Sequence, residues 1–260
     1  QAMNDQSQPD LDDSKAPLME HLIELRQRLL WSVAALVVAF LASMFFADEI
    51  FGILVQPLTD AFPAGEGKLI YTKLYEAFFV EIKVAMFAAF FIAFPIISNQ
   101  LWAFVAPGLY ANEKKAFLPF LVATPVLFVA GASLAYFIVM PTAFRFFLGF
   151  EGTVGGLQQE ALPAMGDYLS LVMQFILAFG VCFQLPVLLL LLNRAGIVSR
   201  QQLKSIRRYM IVGAFALAAI LTPPDVVSQL MLGIPLILLY EVSLLIMWFT
   251  ERKKKEIVPS

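Results

Sequence analysis

The sequence holds one cysteine, Cys182, and one histidine, His21. A lone cysteine closes no intrachain disulfide, and the two residues together cannot furnish the ligand set of a dedicated zinc site. No metal and no cofactor are expected. A Ser/His/Asp triad would need His21, which has no evident partner in the sequence, so an intramembrane enzyme is the least favoured class. Cys182 sits in an apolar run and reads as a small buried hydrophobe. Charge is also scarce, at 15% of residues, where average globular domains carry roughly 25%. No nucleic-acid partner is expected. What is abundant is apolar: 60% of residues are hydrophobic and 25 are Phe. That balance marks a membrane protein.

Six apolar stretches read as membrane spans: Leu29–Phe46, Ala77–Ile97, Phe117–Met140, Tyr168–Leu192, Tyr209–Leu221 and Val226–Phe249. The second carries Glu81 and Lys83 in its first turns, which are expected to stand outside the hydrocarbon. The fifth is short. At about 1.5 Å per residue it reaches roughly 20 Å, against a core of about 30 Å. Snorkelling by Arg208 or local thinning of the bilayer would accommodate it. The fold class is therefore all-α and polytopic, with one membrane domain over residues 17–250. Residues 1–16 read as a disordered acidic tail, and residues 251–260 as a basic tail. No cleavable signal peptide is expected, because an acidic tail precedes the first apolar run.

Fourteen of the 18 lysines and arginines fall before the first span, between the second and third, between the fourth and fifth, or after the sixth. The positive-inside rule then puts both termini in the cytoplasm. Two long loops, about Ala47–Glu76 and Thr142–Asp167, face outward. Prolines within or beside the spans (Pro95, Pro119, Pro125, Pro141, Pro186 and Pro235) favour kinked helices and a concave assembly.

Three motifs stand out. In HLIELRQRLL, from His21, Leu18, Leu22, Leu25 and Leu29 form one helical stripe, with Glu24 and Arg28 on the other side and four residues apart. Arg26 and Arg28 suit topology enforcement, but a carboxylate at Glu24 aids neither orientation nor binding to anionic lipid. In NQLWAFVAPGLYANEKK, from Asn99, Trp102 and Phe104 read as interfacial anchors, Pro107 and Gly108 as a helix break, and Glu113 as an ordinary loop residue. In LTPPDVVSQL, from Leu221, Asp225 suits the N-cap of the last helix. Gln229 lies one turn deeper. Gln174, Gln184, Gln229 and Glu241 are polar groups at membrane depth, for which interhelical hydrogen bonding is the plainest role.

Together HLIELRQRLL, WAFVAPGLYANEKK, AYFIVMP and GAFALAAILTPPDVVSQ resemble the signature segments of the TatC family, from about Pro17 to Phe249. That resemblance implies six helices in a concave, glove-like arrangement with short fifth and sixth helices, in the bacterial inner membrane. It implies a receptor for twin-arginine signal peptides of folded proteins, joined by TatA and TatB and driven by the proton-motive force. A homo-oligomer within the receptor complex is expected on the same ground. By position, Glu24 and Glu113 match the residues that meet the twin arginines, with Arg26 and Phe104 supporting them. Pro57 matches a functional proline of the first outer loop. Gln184, Asp225, Gln229 and Met210 mark a polar membrane or partner-helix site. Many relatives carry glutamate where this chain has Gln184, which argues against a proton-relay role there.

The chemistry suits the assignment. A guanidinium is a planar fork that a carboxylate meets with two parallel hydrogen bonds. Consecutive arginines in an extended peptide point to different sides, so two separate carboxylates fit them better than one. The competing reading is a small secondary transporter or channel using Glu81, Lys83, Gln184, Asp225 and Glu241. The lack of an internal repeat weighs against it.

Overall fold

The structure is a computed structural model that describes residues 10–62, 67–109 and 114–257. Its elements run α1 (Asp10–Phe45), α2 (Ala47–Thr59), α3 (Glu76–Leu109), α4 (Lys114–Leu134), a π-helical turn (Ala135–Val139), α5 (Met140–Leu148), β1 (Gly152–Val154), β2 (Leu157–Gln159), α6 (Met165–Cys182), α7 (Leu185–Arg194), α8 (Arg200–Ser205), α9 (Arg207–Leu221) and α10 (Val226–Ile257). Helix is the physical default for these sequences, because a lipid-exposed backbone must satisfy its own hydrogen bonds.

Five helical segments are long and apolar enough to cross a membrane: His21–Phe45, Glu76–Val105, Leu118–Leu148, Met165–Arg194 and Val226–Arg252. The fifth predicted span is present as α9, but with 15 residues it reaches only about 22 Å. Its C-terminal end is chemically satisfied. Gln174 Nε2 of α6 donates to the Leu221 carbonyl at 3.0 Å, covering an acceptor that the helix itself leaves open. Replacing Gln174 with Leu is expected to lower thermal stability in detergent by about 1–2 kcal/mol, because it strands that carbonyl.

Pro57 is not in a loop: it lies buried inside α2, near its C-terminal end. The first part of the supposed outer loop is helical because Ile50, Phe51, Leu54, Val55 and Leu58 recur on one face and pack into the main core. The second supposed loop holds the end of α5 and an antiparallel hairpin of β1 and β2. Its turn residues Gly155 and Gly156 have φ of 63° and 84°, which a two-residue type I′ hairpin requires. The helix does not break at Pro107 and Gly108, since α3 continues to Leu109. A proline there forgoes one hydrogen bond near an end that is already fraying. The predicted fourth span is interrupted at Phe183 and Gln184, immediately ahead of Pro186.

Two interfaces set the architecture. α1 runs beside α3, where Ala39, Ala89 and Ala93 are buried together; small side chains let the backbones approach closely. α4 packs on α6, where a Cβ on Gly131 would run into the Phe179 carbonyl oxygen. Phe128, Phe175 and Phe179 are fully buried around this contact. Tyr168 and Tyr136 donate to the Leu54 and Ile53 carbonyls at 2.8 and 2.6 Å, fastening α2 across the end of the bundle that carries the hairpin. Cys182 is buried, as expected.

Candidate functional site

At the opposite end, α1 and α3 bring together residues some eighty positions apart in sequence. His21, Glu24 and Arg28 share one face of α1 by their spacing of three and four. Gln100 and Phe104 share a face of α3 for the same reason. Arg28 donates to Glu24 twice, from Nη2 at 2.6 Å and Nε at 3.0 Å, and both bonds end on Oε1. Arg28 Nη1 lies 3.4 Å from Gln100 Oε1, a link to α3. The His21 ring stacks on Phe104, with centroids 4.3 Å apart and planes 17° from parallel.

This geometry leaves one carboxylate oxygen of Glu24 in reserve. Oε2 is 4.0 Å from His21 Nδ1, beyond hydrogen-bond length. Arg28 fixes the Glu24 rotamer through Oε1, while Oε2 keeps its lone pairs. The Glu24 side chain is 36% exposed and Arg28 27%, so the pair can be reached from solvent. Arg26 is exposed and has no ion pair with a described residue. Glu113 lies outside the described residues. The sequence reading missed His21 and Gln100. The sequence leaves His21 without an evident partner, whereas in the structure it stacks on Phe104. The i, i+4 spacing of Gln100 and Phe104 was the available signal.

The polar membrane residues divide into two places. Gln184 stands at the break between α6 and α7, where its Nε2 donates to the Thr124 carbonyl at 2.9 Å. Its Oε1 is buried without a partner among the described residues. Gln184 and Met210 both line an apolar cleft of about 710 Å³ between α6, α7, α9 and α10. Arg207 and Glu241 line it too and pair at 2.6 Å. Asp225 and Gln229 are elsewhere, at the turn between α9 and α10. Asp225 Oδ1 accepts the Ser228 backbone N–H at 2.7 Å, capping α10 as expected. Asp225 Oδ2 and the fully buried Ser228 Oγ have no partner among the described residues. Gln229 is partly buried. Asp225→Ala is expected to lose about 0.5–2 kcal/mol of stability through the cap alone, read by thermal unfolding in detergent. Among the described residues no cluster of His, Cys, Asp and Glu could hold a metal ion.

The family described as "Sec-independent protein translocase protein (TatC)" matches residues 20–235. The chain belongs to the TatC family. A relative from Magnetococcus marinus, a Sec-independent protein translocase protein TatC, is 52% identical over 244 residues, covering 94% of this chain and 88% of its own. One from Aquifex aeolicus is 42% identical over 243 residues, covering 93% and 98%. A crystal structure of the twin-arginine translocase receptor TatC superposes with a TM-score of 0.74 at 40% identity, covering 88% of this chain and 98% of that one. The family is one of protein-translocase components, a transport family rather than an enzyme family. The five long apolar helices agree, and the chain is a multi-pass membrane protein.

Proposed function

We propose that this chain is the receptor of a twin-arginine translocase. It spans the bacterial inner membrane six times, α9 being the short span, with both termini in the cytoplasm. Glu24 and Glu113 each take one arginine of a signal peptide on a folded precursor. The observation that carries this reading is the half-used carboxylate of Glu24: Arg28 holds Oε1, and Oε2 remains open beside the His21–Phe104 stack. An incoming guanidinium would donate to Oε2 and lie against an aromatic face, an arrangement that favours arginine over lysine. Arg28 acts as a positioning residue, Phe104 adds apolar contact, and Arg26 attracts no arginine itself but enforces orientation. The apolar part of the signal peptide adds burial at about 25 cal/mol per Å². Registry comes from the arginines and affinity from the apolar segment.

Photocrosslinking of a twin-arginine precursor tests the reading. Probes at residues 23 and 112 are expected to crosslink the precursor, and a Lys-Lys precursor is expected to lose most of the signal. Equal crosslinking of both precursors would reject the site.

A second element of the proposal concerns partners. The cleft lined by Gln184 and Met210 would receive a transmembrane helix of TatA or TatB, with a polar side chain of that helix donating to the open Gln184 Oε1. Asp225 Oδ2 and Gln229 offer a separate polar contact at the other end of α9. Pro57 stiffens α2 over that end. Assembly into a homo-oligomeric receptor complex and transport driven by the proton-motive force complete the proposed activity. Disulfide formation between cysteines placed at Met210 and in the partner helix, abolished when the partner's polar residue is made apolar, is the expected result.

A further inference from the structure

Lys83 is an unusual cation. It lies seven residues into α3, about 10 Å from the start of that helix. Among the described residues it makes no hydrogen bond and no ion pair. Glu81 is two positions away, roughly 200° around the helix, and cannot reach it. Lys83 is exposed on the surface of α3, so its ammonium is available to an incoming anion.

Lys83 and Ser170 both border two cavities, and the two cavities differ in character. One, of about 500 Å³, has a charged side: Thr72, Lys73, Glu76 and Asp167 line it, together with an apolar wall from Phe79 and Val80. The other, of about 770 Å³, is apolar: Leu36, Met86, Phe90, Met173, Leu177 and Val181 line it. It forms a groove between α1, α3, α6 and the end of α9. Among the described residues, the one further polar side chain on it besides Lys83 and Ser170 is Gln174, whose amide nitrogen is committed to Leu221. A chamber with a charged side that opens past a single cation into a greasy groove has the outline of a phospholipid.

The charges in that chamber choose the headgroup. Lys73 and Lys83 supply two cations, and Glu76 and Asp167 two anions. Glu76 is already occupied. Its Oε2 accepts the Thr72 N–H at 2.8 Å and its Oε1 the Gly166 N–H at 2.8 Å. Lys73 leans over the Tyr75 ring, 6.0 Å from its centroid. Lys83 and Asp167 are left, one of each sign. Asp167 is exposed and, among the described residues, has no ion pair. We infer that the Lys83 groove binds one phospholipid with a zwitterionic phosphoethanolamine headgroup, its phosphate on Lys83, its ammonium on Asp167 and an acyl chain along the apolar groove. An anionic headgroup would satisfy Lys83 but face Asp167 without a cation of its own.

The test uses the full chain, purified in detergent, stripped of lipid and titrated with phosphatidylethanolamine or phosphatidylglycerol under native mass spectrometry. One phosphatidylethanolamine is expected to bind at a concentration about tenfold below phosphatidylglycerol, since a paired charge is worth at least that factor in a partly dry site. Lys83→Gln is expected to weaken phosphatidylethanolamine about tenfold, Lys83→Arg to retain it, and Asp167→Asn to erase the preference between the two lipids. Each variant's unfolding temperature is recorded, and a variant that binds less without melting lower counts for the site. Equal binding of both lipids by the unaltered chain, tighter binding of phosphatidylglycerol, or binding indifferent to Lys83→Gln would overturn the inference.

Discussion

Glu24→Gln is expected to weaken binding of a twin-arginine peptide by roughly ten- to a hundredfold, the range for losing a charge-assisted hydrogen bond. The substitution keeps size and shape, so the effect isolates charge. Glutamine can still accept from Arg28 through its one carbonyl oxygen, but that leaves an NH₂ where Oε2 stood, and a donor turned toward a guanidinium repels it. Arg28→Lys is expected to do less harm. Lysine keeps a charge near Oε1 but loses the fork that joins Nε and Nη2 to Glu24 while Nη1 reaches Gln100. The Glu24 rotamer then loosens, and peptide binding falls by a few-fold. Isothermal titration with an Arg-Arg peptide, and with a Lys-Lys peptide as control, measures both variants. A Glu24→Gln protein that binds like the parent would remove this carboxylate from the receptor.

The second large effect is structural. Gly131→Leu is expected to destabilise the α4–α6 contact by about 1–3 kcal/mol or more, the range for overpacking a tight core. The obstruction is the Phe179 backbone carbonyl, which cannot swing aside as a side chain would. Relief requires α4 to move off α6, and that motion would carry Thr124 away from both Gln184 and Trp102, whose Nε1 donates to Thr124 Oγ1 at 2.8 Å. The comparison is Gly52→Ala in α2, where an added Cβ meets nothing within 4 Å. That change is expected to leave stability unaltered or raise it by about 0.5–1 kcal/mol, through lower backbone entropy in the unfolded chain. Thermal unfolding of both in one detergent checks the pair. An undisturbed Gly131→Leu would mean that α4 and α6 are not in contact at this point.

Long apolar runs were legible because lipid demands them: each predicted span falls on helix in the structure, the fourth with a break at Phe183 and Gln184. The segments between spans were not. α2 carries Asp48, Glu49 and Pro57, so its polar and proline content suggested a loop, although Ile50, Leu54 and Leu58 keep helical spacing. The hairpin is short, and only Gly155 and Gly156 announce it. At the candidate site the Glu24–Arg28 pair was readable, because a spacing of four on one helix needs no tertiary information. The His21–Phe104 stack and the Arg28–Gln100 link were not, since both depend on how α1 and α3 are registered against each other. The Gln174 bond to Leu221 belongs to the same kind: a helix end stranded at depth creates the need, but nothing local says which side chain meets it. Gln184 shows the reverse. A glutamine there donates to Thr124 without titrating, so the bond it makes requires no proton exchange.

A double-mutant cycle between receptor carboxylates and peptide arginines bears most directly on the receptor reading. Affinity is measured for the unaltered chain, Glu24→Gln and Glu113→Gln against peptides in which the first, the second or both arginines are glutamine. Each carboxylate is expected to couple to one arginine by about 1–3 kcal/mol and to the other by close to zero. Additive losses throughout, with no coupling between either carboxylate and either arginine, would contradict the proposal that these acids read the pair.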